Sequence, residues 1–235
     1  MVHGANAVLA ALRAGAPVQR LVLALGRRDP EIEREAAARR LHVERGDRRR
    51  LDDLARSRDH QGAVAFLPHY RYAPLEEVLA PSTRTAVVLD GVQDPRNLGA
   101  IIRTARAAGV GAVVIPKDRS AGVTGVVAAA SAGTLFDVRV CQVGNLARAL
   151  EAMKDAGFWL VGLAARAEGS LFALDPPERP ALVVGGEGEG LRPLVRRHCD
   201  FAVSIPMAAG VESLNVSVAV GIALYHLVGR RLDGA

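Results

Sequence analysis

Short apolar runs alternate with amphipathic segments along the chain, and this alternation predicts the order of its elements. From residue 85 onward the runs are strand-sized and rich in valine, as in TAVVLD, GAVVIP and ALVVGG. Each run is followed by a loop and then by a segment with helical spacing, such as NLGAIIRTARAAG. Continuous β-branched runs that alternate with helices are typical of a parallel sheet covered on both faces. This part of the sequence therefore predicts an α/β fold.

The first part of the chain has shorter elements and predicts a separate, small α/β unit. Helical segments alternate there with the strand-like runs VQRLVLAL, LHVE and GAVAFL. Three prolines then fall within PHYRYAPLEEVLAP, a composition typical of a linker with a helical turn or two. We therefore predict a small domain over residues 1–67, a linker over 68–82 and a larger domain over 83–235.

The balance of basic and acidic residues differs between the same two parts of the chain. Residues 1–75 contain 14 arginines, no lysine and nine acidic residues, whereas basic and acidic residues balance in the remainder. Arginine suits phosphate contacts and stacks on bases, so the surplus favours a nucleic-acid partner. Segments such as EIEREAAARR, with interleaved glutamates, are also typical of a solvated helix face, and charge alone leaves both interpretations open.

The composition of the chain excludes several other classes of protein and of binding site. Cys141 and Cys199 lie far apart in the sequence, so neither a disulfide framework nor a zinc cluster is expected. The six histidines are scattered without ligand spacing, and we assign them no role and expect no metal. The sequence shows neither a secretory signal nor a membrane-spanning run, so we expect a cytoplasmic protein.

The loops after three predicted strands carry the candidate chemistry, because ligands of parallel sheets bind at the carboxyl ends of strands. After the first strand, Asn97 is predicted to cap a helix whose apolar stripe leaves Arg103 and Arg106 on another face. These arginines are either a solvated pair or, with Arg96, donors for an anion.

The second candidate loop is GGEGEG. It lacks the lysine and hydroxyl residue of a phosphate-binding loop, and Glu187 and Glu189 would repel a pyrophosphate. Glycines that expose backbone beside carboxylates fit a ligand that is neutral or positive at its contact point, although an exposed turn is the simpler interpretation.

The third candidate segment opens the apolar helix near the C-terminus. Ser213, Asn215 and Ser217 precede or begin a stretch that is otherwise valine, alanine, isoleucine and leucine. One of Ser213 and Asn215 would suffice to cap the helix. The remaining polar side chains predict a pocket wall beside the glycine loop, since buried polar groups need partners.

The three segments together resemble a known family. LDGVQDPRNLGAIIRTARAAG, LVVGGEGEGL and SIPMAAGVESLNVSVAVGIALY resemble, in order, the signature motifs of the SpoU (TrmH-type) RNA ribose 2′-O-methyltransferases. HGANAV, HQGAVA and IPKDRSA agree as well, so the resemblance covers nearly the whole chain. It is greatest to the members that methylate a guanosine of 23S rRNA. The resemblance implies S-adenosylmethionine as cofactor, a homodimer, a C-terminal trefoil knot in the methyltransferase domain and an N-terminal RNA-binding domain.

The resemblance also implies roles for single residues. The motif positions assigned to catalysis are Asn97, Arg103, Glu187, Ser213 and Asn215. Those assigned to the cofactor are Gly185, Gly188, Ile205, Met207 and Leu214. Arg103 is the family's proposed base, but a guanidinium stays protonated in proteins. We therefore expect Arg103, with Ser213, to grip the target phosphate, while Glu187 and Asn97 hold Arg103 and the loops in place.

Two positions depart from the family pattern, Gly186, where alanine is common, and Glu212, where a small or apolar residue is common. Neither departure changes a reacting group. The alternatives within this fold are a tRNA or resistance-type rRNA 2′-O-methyltransferase and a methylation-dead ribosome assembly factor. A nucleotide-dependent dehydrogenase is disfavoured, because GVQDPRNLG lacks the glycine fingerprint.

Overall fold

The computed structural model describes residues 1–13, 15–68, 70–188 and 190–229, which form two compact units. The smaller unit combines Met1–Arg71 with Val123–Asp137, and the larger combines Tyr72–Gly122 with Val138–Ala235. The domain boundaries predicted from the sequence stay a prediction, because compactness alone does not identify the segments that fold independently. None of the described helices is both long and apolar enough to cross a membrane.

The smaller unit is built on a four-stranded mixed sheet. Its elements up to residue 66 are β1 (Val2–His3), α1 (Ala5–Arg13), β2 (Arg20–Ala24), α2 (Pro30–Ala38), β3 (Val43–Gly46), α3 (Arg48–Ala55) and β4 (Ala63–Phe66). The strand order is β1-β4-β2-β3, in which only β2 and β3 run parallel. Val22, Leu51, Ala55 and Val64 form a buried cluster between the sheet and α3.

The larger unit alternates strands and helices, as its sequence pattern predicts. It contains α4 (Leu75–Leu79), β5 (Ala86–Asp90), α5 (Pro95–Ala107) and β6 (Ala112–Pro116), after which α6 (Gly125–Ala130) belongs to the smaller unit. The chain continues with β7 (Arg139–Val143), α7 (Leu146–Asp155), β8 (Trp159–Leu163), β9 (Gly169–Ser170), β10 (Pro180–Gly185), α8 (Pro193–His198), β11 (Phe201–Ser204) and α9 (Val216–Val228).

The seven strands of the larger unit form one parallel sheet, which confirms the predicted α/β class. Their order is β7-β6-β5-β10-β8-β11-β9. Alternate side chains of each strand face opposite layers of helix. On one face, Val88, Val114 and Val183 pack with α4, α7 and α8. On the other side of the sheet, α9 contacts β10 and packs against α5.

Helix α5 begins earlier than the sequence predicts, and the assignment of Asn97 as its N-cap is wrong. Asp94 is the N-cap, and its side chain accepts a hydrogen bond from the backbone N–H of Arg96. Pro95 occupies the first turn, where its missing N–H costs nothing. Asn97 therefore lies inside the helix, 8% exposed, and its side chain is free to bind elsewhere.

Candidate active site

The candidate site lies where β5, β10 and β11 end. β5 and β10 are neighbours at the middle of the sheet, with Val184 opposite Leu89 and Gly185 opposite Asp90. The chain leaves β5 towards β6 and leaves β10 towards β11, on opposite sides of this pair. Such a divergence of connections opens a crevice at the carboxyl ends of parallel strands. All three sequence motifs reach this crevice.

A polar network joins the three motif segments. The Asn97 side-chain amide donates to Oε1 of Glu187, in the loop after β10. Asn215 Nδ2 in turn donates to Asn97 Oδ1 over 3.1 Å. Asn215 also caps α9, because its Oδ1 accepts from the backbone N and the Oγ of Ser217 at 2.9 and 2.6 Å. The helix cap is thus Asn215 and not Ser213, one of the two candidates in the sequence.

An ion pair between a buried carboxylate and a half-exposed arginine closes the loop after β10. The Asp90 side chain is completely buried and accepts from the backbone N and Nε of Arg192 at 2.9 and 2.6 Å. At the other end of the loop, the backbone N–H of Gly186 donates to the Asp90 carbonyl oxygen over 2.9 Å. Asp90 therefore holds both ends of residues 186–192. No sequence motif identified this pair, whose members lie 102 positions apart.

A cleft of about 570 Å³ lies beside this loop. Every residue assigned to the cofactor lines it: Gly185, Gly188, Ile205, Met207 and Leu214. Glu187 and Ser213 line it too, as do Arg166, Arg196 and Glu212, for which the sequence motifs indicate no role. The cleft therefore combines apolar side chains, glycine backbone and charges of both signs.

Two glycines beside the cleft leave no room for side chains. A Cβ on Gly185 would overlap the backbone of Gly190, and one on Gly186 would overlap the carbonyl oxygen of Gly91. Close packing of the loops explains glycine at both positions, including Gly186, where the family commonly has alanine. The backbone on this wall is consequently uncovered by side chains.

Two further predicted residues, Arg103 and Ser213, are exposed. Arg103 projects from α5, is exposed and forms no hydrogen bond or ion pair with any described residue. The expected contacts of Asn97 and Glu187 with Arg103 are therefore not formed within this chain; the two side chains bond to each other instead. Ser213 is exposed at the cleft. Glu189, the second acid of the GGEGEG loop, falls outside the described residues.

Neither cysteine is suited to act as a nucleophile. Burial raises the pKa of the Cys141 thiol to about 11. Burial likewise raises the pKa of Cys199 to about 11, with a smaller contribution from Asp200. Thiols with such pKa values stay protonated at neutral pH, and only a thiolate is nucleophilic. Within the described ranges, no group of three or more His, Cys, Asp or Glu side chains could hold a metal ion.

Comparison with known proteins identifies this arrangement. Residues 84–225 match the model of the SpoU rRNA Methylase family, and residues 1–73 match that of RNA 2′-O ribose methyltransferase substrate binding. The chain belongs to the SpoU rRNA methylase family. The predicted resemblance is thereby confirmed, and all three motif segments lie within the matched residues 84–225.

Relatives within the SpoU family match the chain along almost its whole length. The 23S rRNA (guanosine-2′-O-)-methyltransferase RlmB of Pseudomonas aeruginosa is 44% identical, over 98% of this chain and 96% of its own. The RlmB of Xanthomonas campestris is 43% identical over the same shares. Among solved structures, the SpoU methyltransferase AviRb of Streptomyces viridochromogenes in complex with AdoMet superposes with a TM-score of 0.82. It is 26% identical and is matched over 99% of this chain and 90% of its own.

Proposed function

We propose that the chain transfers a methyl group from S-adenosylmethionine to the ribose 2′-hydroxyl of a guanosine in 23S rRNA. The observation that carries the proposal is the network Glu187–Asn97–Asn215, which joins all three SpoU motifs at one end of the sheet. RlmB relatives with 39–44% identity favour the 23S rRNA guanosine over other targets.

The residues of the cleft fit S-adenosylmethionine. Ile205, Met207 and Leu214 offer apolar contact for an adenine ring, and the bare backbone around Gly185 offers hydrogen bonds to its edge. The carboxylate of Glu187 suits the positive sulfonium. The cleft volume of about 570 Å³ lies within the range of small-molecule sites, roughly 300–1,000 Å³. When bound, the cofactor would supply an electrophilic methyl group.

Arg103 and Ser213 are proposed to hold the RNA. Arg103 is exposed and has no partner among the described residues, so its guanidinium is available for a phosphate. A guanidinium stays protonated in proteins, which argues for a grip on the phosphate and against a role as base. Glu187 and Asn97 are positioning residues that order the loops. Alignment of the 2′-hydroxyl with the methyl group would then supply most of the rate, and the hydroxyl proton would pass to a surrounding polar group or to water.

Arg103→Lys tests this role, because lysine keeps the charge and loses the planar fork. We expect methyl transfer to fall about 100-fold, the scale of losing one oriented donor. Arg148→Lys is the matched control, since Arg148 is an exposed arginine on α7, at the opposite face of the sheet. Near-normal turnover of Arg103→Lys would refute the bidentate grip.

A homodimer is proposed from the exposed face of α9. Val218 and Tyr225, seven positions apart, are 50% and 49% exposed, although the helix is apolar on all sides. Val211 and Leu214, just before the helix, are 50% and 37% exposed. A helix that is apolar all round is normally buried. A second subunit on this face would cover the stripe.

Val218→Asp should therefore give a monomer by size-exclusion chromatography with light scattering, and methyl transfer should fall with dimer content. Val126→Asp, at a residue of α6 that is 43% exposed, is the matched control and should stay dimeric. A Val218→Asp variant that remains dimeric would place the interface elsewhere.

Membership of the SpoU family also supports three further proposals, which concern the knot, the RNA-binding domain and the location of the protein. Membership of the SpoU family supports a trefoil knot made by the segments around the GGEGEG loop and the approach to α9. The match of residues 1–73 to a substrate-binding model supports RNA binding by the N-terminal domain, predicted as 1–67 with a linker at 68–82. A ribosomal RNA substrate implies a cytoplasmic location.

The direct test is transfer of tritiated methyl from S-adenosylmethionine to total bacterial RNA, followed by separation of 23S rRNA from tRNA and mapping of the label. Label on a ribose of a 23S rRNA guanosine is the expected result. Label in tRNA, or at another ribosomal site, would retain the chemistry and overturn the target. Absence of label with cofactor bound would favour an assembly factor without methylation activity.

A further inference from the structure

The smaller unit contains two similar arginine-rich loops that its sheet brings together. LGRRD follows β2, and GDRRR runs from the last residue of β3 into the first turn of α3; each segment contains an aspartate that caps the next helix. Because β2 and β3 are parallel, both loops lie at the same edge of the sheet. Two contacts join them: the backbone N–H of Leu25 donates to Gly46 O over 2.8 Å, and Arg45 donates to Arg27 O. Residues 25–29 and 46–50 together form what we call the arginine end.

Within the arginine end, the carboxylates are already engaged. Asp29 accepts from the backbone N–H of Ile32 and pairs with Arg27 at 2.8 Å. Asp47 accepts from the backbone N–H of Arg50 at 2.7 Å. The two segments therefore contain five arginines and only two aspartates, both of which serve as helix caps.

Three of these arginines remain unpaired. Arg50 pairs with Glu44 at 3.0 Å and Arg27 with Asp29, whereas Arg28, Arg48 and Arg49 are exposed and form no side-chain bond with any described residue. Leu25 stands beside them, 64% exposed. Free guanidinium groups around an exposed apolar side chain match the two parts of a nucleotide, its phosphate and the face of its base.

We infer that the arginine end is the surface through which the smaller unit contacts RNA, with Arg28, Arg48 and Arg49 on backbone phosphates and Leu25 against a base. The inference rests on the proposed function, since it names the part of the substrate-binding domain that meets the substrate. Elsewhere in the unit, Arg13, Arg20 and Arg39 are bound to Glu31, Glu44 and Glu35, and the exposed arginines without a described partner, such as Arg34, Arg40 and Arg71, lie outside these two joined segments.

The test is the triple variant Arg28→Ala/Arg48→Ala/Arg49→Ala in the full chain, assayed by filter binding to 23S rRNA across salt concentrations. We expect affinity to fall on the order of 100-fold and the slope of log affinity against log salt to weaken by about 2–3, one for each phosphate that is no longer neutralised. The control is Arg34→Ala/Arg40→Ala/Arg71→Ala, which removes three exposed, unpaired arginines of the described part of the same unit. This control should bind within a few-fold of the unmodified chain.

Two measurements separate a loss of RNA binding from a loss of the fold. The affinity for S-adenosylmethionine should be unchanged, and the triple lysine variant at the same positions should retain most of the salt slope. Equal losses in the two alanine triples, or none in the first, would overturn the inference. If the unmodified chain methylates no RNA, the proposed function fails by itself, and the affinities still decide whether the arginine end binds RNA. If it methylates RNA and the first triple keeps its KM for RNA, the inference alone fails.

Discussion

The Asp90–Arg192 pair gives the most direct test of how the cleft is held in shape. Asp90→Asn keeps the shape of the side chain and removes its charge. Loss of one partner of a buried pair costs about 3–5 kcal/mol when the other charge stays buried. The Arg192 side chain is 43% exposed and can be hydrated, so we expect a smaller cost of about 2–3 kcal/mol. For a chain of this size the melting temperature should fall by roughly 4–12 °C.

The same variant should bind S-adenosylmethionine more weakly, because residues 186–188, 190 and 191 line the cleft. Calorimetry would measure both the unfolding temperature and the cofactor affinity. Asp155→Asn, at an exposed aspartate of α7, is the control and should change neither. Arg192→Ala removes the same pair, so the double variant should lose little more than either single one. An Asp90→Asn protein indistinguishable from the control would show that the pair does not order the loop.

Three further predictions concern the site and the core. Gly186→Ala should destabilise the fold by about 1–3 kcal/mol in thermal unfolding, since its Cβ overlaps a backbone oxygen, whereas Gly144→Ala, with open space, should not. Cys141 and Cys199, with pKa values raised to about 11 by burial, should react with a thiol reagent far more slowly at pH 7.5 than in the denatured chain; equal rates would contradict their burial. Asn97→Asp places a second carboxylate beside Glu187, and the two negative charges repel each other. The rate of methyl transfer by this variant, divided by the rate of the unmodified chain, should therefore rise as the pH falls. A ratio of rates that does not change with pH would argue against this network.

The sequence was sufficient to predict the α/β class and the end of the sheet that carries the motifs. Valine-rich runs define most strands, and a strand followed by a helix followed by a strand constrains the pairing to be parallel. The two-residue strands β1 and β9 escaped prediction because so short a stretch has no period. The order of the seven strands in the sheet was also not predicted, because no local sequence pattern indicates which strands become neighbours.

Errors and omissions at the site have a common physical cause, which is competition between local and distant partners. Asn97 has a side chain that commonly caps helices, but Asp94 followed by Pro95 is the more favourable N-terminus for α5. The Asn97 side chain is therefore free to form hydrogen bonds across the crevice. Asp90 and Arg192 are far apart in sequence, and neither stands in a recognisable pattern with the other. Long-range polar pairs of this kind become visible only when the backbone has been placed.

The side-chain hydrogen bonds that link Ser217, Asn215, Asn97 and Glu187 all run in one direction. The hydroxyl of Ser217 donates to Asn215, the amide of Asn215 donates to Asn97, and the amide of Asn97 donates to Glu187. Bonds aligned in this way polarise one another, so each is strengthened by the negative charge at the end of the row. The strength of the hydrogen bonds in the first turn of α9 therefore depends on the charge of the exposed Glu187 carboxylate. A cation that approaches Glu187 would therefore change the polarisation of the hydrogen bonds at the beginning of α9 without contacting that helix.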